Sequence, residues 1–335
     1  MTPLLQTALL RNAAPLAAGL DAEVARSMRT SYAVALGAGK APTEPDFVAL
    51  LVTQAAPAFV NVLQPVLTLA GVRVHMTAVF CHGRPEVAHA GNRCELGDVL
   101  FAHLHADANG QTHRRALLLQ AKMSASPILS VGSSERHQLG LYTQWGPFTY
   151  RRTSPLLNGQ TRTVTPRAAH DGAQYLLVDS RGPTHPASGV SGAPGTYPMG
   201  TAPAQLHLAI QASLGASLVQ LMAGSDGRMF SDRSSAVADW DQVVWDLLRY
   251  GAQANFNQRR VGVRGRRRGV DVILDLALSR SVVQAGDSMP GGDMFREIGG
   301  EIGDQPPSSI DDERPRDEDG GGISLVVIET REARG

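Results

Sequence analysis

Residues 94–123 read CELGDVLFAHLHADANGQTHRRALLLQAKM, and the fold depends on how this stretch pairs with itself. Two apolar-rich runs, residues 95–104 and 115–123, flank a polar segment containing Asn109-Gly110, the signature of a β-hairpin. The first run opens with two carboxylates, Glu95 and Asp98. The second ends in Gln120-Ala121-Lys122, and because side chains alternate along a strand, the glutamine and the lysine share a face. A two-residue Asn109-Gly110 turn pairs Asp98 with Ala121 and sends the aspartate to the wrong face. A three-residue loop, Ala108-Asn109-Gly110 with Gly110 left-handed, sets Asp98 opposite Gln120. Gly97 offers a bulge through which Glu95, nominally on the other face, turns toward Asp98. An acid on one strand and a polar-x-Lys on its neighbour is an arrangement that can hold a divalent metal beside a phosphodiester.

The pattern Asp98…Gln120-x-Lys122 resembles the PD-(D/E)xK nuclease superfamily, in the Mrr-like variant where glutamine replaces the second acid. The likeness covers residues 72–180. It implies an α/β fold with a restriction-endonuclease-like mixed sheet (an αβββαβ core) flanked by helices, and metal-dependent hydrolysis of phosphodiesters, DNA before RNA. It implies Mg²⁺ (or Mn²⁺) held by Asp98, the backbone carbonyl of Ala121 and a second acid, Glu95, with Glu86 in reserve; hard oxygen ligands suit that ion. A metal-bound water attacks in line, Lys122 orients it or stabilises the charge on phosphorus, and Gln120 aligns it or coordinates through its carbonyl. Gln120 brings no negative charge, which points to one ion. The family further suggests an effector of restriction or other anti-phage defence, with a homo-oligomer or a defence-system partner protein completing the nucleic-acid groove.

The composition restricts the partners. The 335-residue chain has zero formal net charge, so nucleic acid has to be held by a local basic patch. Two cysteines, Cys81 and Cys94, are too few for a disulfide framework and lack zinc spacing, which predicts a reducing, cytoplasmic setting. The first twenty residues lack a basic segment ahead of their leucines and are interrupted by Arg11, unlike a signal peptide. No uninterrupted apolar run approaches the ~20 residues of a membrane span, so no membrane partner is expected. The only lysines are Lys40 and Lys122; elsewhere the chain uses arginine for positive charge. A lysine kept in an apolar strand is then harder to read as a solubilising choice, since its compact ammonium can shift its pKa and arginine cannot.

Along the chain, residues 1–40 read as helical, with stop signals at Gly37 and Gly39. A second helix runs from 44 to 70 behind a Thr43/Asp46 capping box, bent near Pro57 and Pro65. Residues 72–81 form a strand and 82–93 a loop. After the hairpin come a helix at 133–145 and a strand at 173–179, which completes a nuclease-like core over 41–182. Residues 183–202 are a Gly/Pro/Ser-rich loop. The remainder, 203–335, is a C-terminal helix and strand elaboration: helices at 203–223 and 237–254, strands at 270–278 and 323–330, and a mobile acidic segment at 303–322.

Other readings stand beside the nuclease. Asp98 and Lys122 can form a cross-strand salt bridge on a half-exposed sheet with Gln120 merely polar, although Leu117–Leu119 argue for cover on both faces. His103 and His105 share a face near His113, which fits zinc but better fits exposed histidines at a hairpin tip. The arginines of 259–268, among them Arg264, Arg266, Arg267 and Arg268, either grip phosphates or are neutralised by the acidic segment. Arg114 and Arg115, and Arg151-Arg152, are candidates to line the same groove. Tyr142, Trp145, Phe148 and Tyr150 read as core rather than base-stacking platforms. A non-catalytic nucleic-acid- or protein-binding subunit predicts the same fold without cleavage. A small-molecule sensor predicts a pocket among residues 203–254, away from the hairpin.

Overall fold

The computed structural model describes residues 2–81, 85–151, 157–182, 197–232, 239–253 and 323–333. Helices α1 (Pro3–Arg11) and α2 (Ala13–Gly37) open the chain. α1 starts on Thr2, whose hydroxyl accepts from the Leu5 N–H, and Pro3 occupies the first turn, where a missing N–H costs nothing. α3 (Glu44–Leu50) begins at the expected capping box, the Asp46 carboxylate accepting from the Thr43 N–H at 2.8 Å. It runs through a π-helical turn, Leu51–Ala55, into α4 (Ala56–Leu69). The bend expected near Pro57 therefore takes the form of a π turn just ahead of it, which widens the helix where the proline lacks an N–H and its ring crowds the carbonyl four residues back. Residues 44–69 are long and apolar enough to cross a membrane by length and composition, but 67% of their most apolar window is buried inside the fold, as in a core helix.

The strands and later helices follow in order: β1 (Val72–Val79), β2 (Glu86–His89), β3 (Asn92–Glu95), β4 (Val99–Ala106), β5 (Thr112–Ser124), β6 (Ile128–Ser130), α5 (Arg136–Gln144), β7 (Phe148–Arg151), β8 (Thr161–Arg162) and β9 (Ala173–Asp179). Then come β10 (Met199–Ala202), β11 (His207–Ala209), β12 (Ala212–Ser213), α6 (Leu214–Ala223), β13 (Arg228–Met229), α7 (Asp239–Gln253) and β14 (Ser324–Glu332). The main sheet has the order β1-β14-β4-β5-β9-β10-β12, with β13 also on β5. The β14–β4 and β5–β9 pairs are parallel and the others antiparallel, so the sheet is mixed. β2, β3, β7 and β8 make a separate four-stranded sheet, and β6 pairs with β11.

Helices cover both faces of the main sheet. Tyr175 pairs opposite Gln120 and packs on Tyr142 of α5, whereas Thr201, paired with the adjacent Leu176, bonds Ser217 of α6. Neighbouring strand residues point to opposite sides, so α5 and α6 lie on opposite faces. α7 joins α5 through the Trp145–Trp240 contact, and α2 joins α6 where Asp21 accepts from the Gly215 N–H at 2.8 Å. β4 and β14 are consequently buried almost throughout, and β5 over residues 116–121, as strands covered on both sides should be.

The structure differs from the local sequence reading in several places. β14 stands between β1 and β4, a position that the chain order alone does not give. Among the described residues after 203, β12, β13 and β14 belong to the main sheet and α6 covers it. Part of the expected loop at 82–93 is the hairpin β2–β3, turned at Ala90-Gly91, both with positive φ. The helix expected from 203 begins only at Leu214, on the Ser213 cap. Arg264, Arg266, Arg267 and Arg268, the strand at 270–278 and the acidic segment at 303–322 lie outside the described residues.

His103 and His105 are fully buried rather than exposed at a tip. Each has a ring nitrogen 2.9 Å from the Thr330 hydroxyl, and His105 reaches Thr2 at 3.0 Å with its other nitrogen. Thr2 in turn bonds Glu332. The two histidines tie both chain ends onto β4. Burial pushes His103 down to about 3, so it is neutral at pH 7 and suited to this role.

Gly215 marks the tightest helix contact. A Cβ there would meet the Ala17 carbonyl oxygen at 2.4 Å and Asp21 Oδ1 at 2.8 Å. Gly215→Ala is expected to lower stability by ~1–3 kcal/mol through overpacking of the α2–α6 contact, read as a drop in the urea midpoint at unchanged slope.

Candidate active site

The β4–β5 hairpin closes through Ala108-Asn109-Gly110. The Asp107 N–H donates to the Gln111 carbonyl and the Gly110 N–H to the Asp107 carbonyl, each at 3.0 Å, with Gly110 at φ +82°. This odd-length loop pairs Val99 with Leu119 and brings the Asp98 N–H to the Leu119 carbonyl at 2.9 Å. Asp98 therefore stands opposite Gln120. Its own carbonyl accepts from the Ser324 N–H at 3.0 Å, so β5 and β14 both fix its backbone.

The side chains converge. Asp98 is 2% exposed, and its Oδ2 accepts from Gln120 Nε2 at 2.5 Å and from the Ala121 N–H at 2.8 Å. Gln120 Oε1 accepts from Gln138 Nε2 of α5 at 2.5 Å, and the same Nε2 lies 3.0 Å from the Glu95 carbonyl. The Tyr142 hydroxyl, one turn further along α5, donates to the Leu96 carbonyl at 2.7 Å. α5 thus holds the 95–96 backbone and orients the Gln120 amide. Lys122, on the same strand face as Gln120, forms an ion pair with Glu135 at 2.8 Å. The cross-strand Asp98–Lys122 salt bridge weighed from the sequence is replaced by these two separate partners.

Glu95 ends β3 and Gly97 lies in the bend between the two sheets, not in a bulge inside one strand. A Cβ on Gly97 would sit 2.6 Å from Leu118 Cδ1 and 3.1 Å from the Tyr142 hydroxyl, so the bend is tight. Glu86 pairs across from Glu95 and, on its other side, Arg151. Ala121 enters through its N–H, where a carbonyl contact was expected. The side-chain carbonyl oxygen of Gln120 accepts from Gln138.

Two members were missed. Glu44, at the start of α3, is close enough to Lys122 and Asp98 to shift both. Its pKa rises to about 7, first from burial and then from Glu95 and Glu135, against the pull of Lys122 and the Met123 backbone. Asp98 is pushed well above the carboxylate range by burial and by Glu44 and Glu95, opposed by the Ala121 N–H and Lys122. Burial lowers Lys122, but Glu44, Glu135 and Asp98 together outweigh it, and the net shift is upward. Gln138 is the second. The signals were present: the capping box uses Thr43 and Asp46 and leaves the Glu44 carboxylate over, and Gln138 and Tyr142 share one side of a helix.

The donor set, oxygen-rich carboxylates beside a single lysine, fits a hard divalent cation in its chemistry, and it is at Asp98 and Glu44 that burial and neighbouring charge oppose ionisation. Among the described residues no group of three or more His, Cys, Asp or Glu is arranged to hold a metal; Asp98, Glu44 and Glu95 are the carboxylates that would hold one here. The sign of the Glu44 shift gives a test. Its folded pKa exceeds the unfolded value, so its contribution to stability is full below about pH 4.5 and is lost as pH rises through about 7. Glu44→Gln is expected to remove that loss, gaining most over wild type at pH 8 and little at pH 5 in urea titrations. Mn²⁺ or Mg²⁺ should move the same titration downward in wild type.

Arg114 and Arg115 are held away from the Asp98 side chain. Arg115 donates from Nε to the Asp226 carbonyl at 2.8 Å and from Nη2 to the Gly227 carbonyl at 2.7 Å, holding the turn before β13. Arg114 and Arg115 sit seven residues before Lys122 or more, a strand rise of ~23 Å. No protein-family model, no curated protein and no solved structure matches this chain.

Proposed function

We propose that this protein is a metal-dependent nuclease hydrolysing phosphodiesters of nucleic acid, DNA before RNA, on a restriction-endonuclease-like core. The observation that carries the reading is the Asp98 carboxylate, fixed opposite Gln120 by the odd hairpin loop, with Lys122 on the same face among Glu44, Glu95 and Glu135. Asp98, Glu44 and Glu95 would hold Mg²⁺ or Mn²⁺. Such an ion supplies a water of lowered pKa and charge neutralisation at phosphorus. Lys122, held as a cation by its acidic neighbours, can stabilise charge developing on the phosphate. Gln120 positions Asp98, and Gln138 positions Gln120. A defence effector role extends the same reading by way of the resemblance, and zero net charge fits a homo-oligomer or partner protein that completes the nucleic-acid groove.

One observation favours a second reading. The polar network closes on itself: Asp98 is buried, the Gln120 amide is satisfied at both ends and Lys122 is paired. A non-catalytic binding subunit of a larger complex would keep such a network as structure. Incubating wild type with plasmid, single-stranded DNA and RNA in Mg²⁺, Mn²⁺ or chelator separates the two. Cation-dependent scission of any substrate supports the nuclease, and nucleic-acid binding without scission under every condition supports the subunit.

A further inference from the structure

Lys122 is the cation of the Asp98 cluster, and its ammonium already has a partner. Nζ lies 2.8 Å from Glu135 Oε1, and among the described residues it makes no other ion pair or hydrogen bond. Glu135 stands in the 3₁₀ turn Ser133–Glu135 that leads into α5, its N–H donating to the Gly132 carbonyl at 3.0 Å. The pair is unequally covered: the Lys122 side chain is 17% exposed and that of Glu135 38%. Gly132, Ser133, Ser134 and Arg136, which flank the glutamate, are exposed. The body of α5 is pinned further along, where Gln138 bonds Gln120 and the Glu95 carbonyl and Tyr142 bonds the Leu96 carbonyl. Rotation of the Glu135 side chain therefore parts it from Lys122 without moving the groups that hold Gln120 and the 95–96 backbone.

The charges around the lysine make this contact matter. Burial lowers the Lys122 pKa, while Glu44, Glu135 and Asp98 raise it by more. Glu44 and Asp98 remain when Glu135 leaves, so the lysine stays a cation. An ion pair with one partner this exposed is weak and sensitive to salt, and an incoming polyanion can displace it. Until it does, the more exposed member of the pair is a carboxylate, and it repels a phosphodiester at the point where the ammonium would receive it.

We infer that Glu135 is a built-in clamp on Lys122, its carboxylate occupying the ammonium until a phosphodiester displaces it and so restraining substrate binding at the cluster. The inference rests on the nuclease reading, and a lysine signal tests it apart from cleavage. Lys40 and Lys122 are the only lysines of the chain, so reductive ¹³C-methylation of the full-length protein gives two lysine resonances, assigned with Lys40→Arg. Titration with a single-stranded oligonucleotide in chelator should move the Lys122 resonance and leave that of Lys40 in place. In Glu135→Gln the same movement should need a ~3-fold lower concentration or less, a gain that shrinks as salt is added. Glu135→Ala should behave alike, because the gain comes from the lost charge. With Mg²⁺ both variants should cleave with a KM lowered by about the same factor and kcat not reduced. Wild-type oligonucleotide affinity in both variants overturns the clamp. So does a kcat that falls in either, or a Lys122 resonance that the oligonucleotide moves in none of the three proteins. A resonance that moves more readily in Glu135→Gln, with no scission by any of the proteins in Mg²⁺, keeps the clamp and removes the nuclease.

Discussion

Asp98→Asn is expected to abolish cation-dependent cleavage, lowering the rate by a factor of ~10³ or more, while leaving the fold more stable at neutral pH. The two effects have one cause. Asparagine keeps an oxygen for Gln120 Nε2 and the Ala121 N–H, so neither donor is orphaned. It removes the charge that burial, Glu44 and Glu95 oppose. Because the folded pKa of Asp98 is raised, its contribution to stability is present below the unfolded value near 3.8 and is lost as pH rises through the folded one. The variant should therefore gain stability over wild type at pH 7 and lose that advantage in acid. A loss of activity accompanied by a higher urea midpoint cannot be ascribed to unfolding. Asp98→Ala, which does orphan both donors, should lose activity and stability together.

Lys122→Met is the second large effect, with cleavage reduced by ~10²–10³. Here stability falls at neutral pH, since Glu44, Glu135 and Asp98 lose the cation that offsets their mutual repulsion. Acid restores it by protonating them. Lys122→Arg should keep most of the stability, because the charge facing Glu135 survives, yet recover little of the rate, because a planar guanidinium cannot occupy the place of a compact ammonium. Denaturation at pH 5 and pH 8 beside single-turnover cleavage reads both. A rate unaffected by Lys122→Met would remove the lysine from the chemistry.

The hairpin was legible because its determinants are local. Gly110 fixes the loop class, the loop length fixes the register, and the register sets Asp98 against Gln120. Helices α2 and α3 and strand β9 were legible for the same reason: caps, glycine stops and apolar period sit in the segment itself. β14 was recognisable as a strand, but its position between β1 and β4 is set by contacts more than two hundred residues apart in sequence, which no local pattern encodes. Glu44 and Gln138 were missed likewise, since each reaches the cluster from a helix distant in sequence. The histidines carried a signal that was misread. Residues 99–106 are apolar on both faces apart from His103 and His105, which argues for burial, whereas their nearness to a loop suggested exposure. The arginine-rich segment at 259–268 lies outside the described residues, so the basic surface of the proposed groove rests on sequence alone.

The most direct test is the single-turnover scission of end-labelled DNA by wild type and Asp98→Asn, each in Mg²⁺, in Mn²⁺ and in chelator. The account predicts cleavage by wild type with either cation, none in chelator, and none by a folded Asp98→Asn under any condition. Equal cleavage by the two proteins, or cleavage that survives chelation, would contradict it.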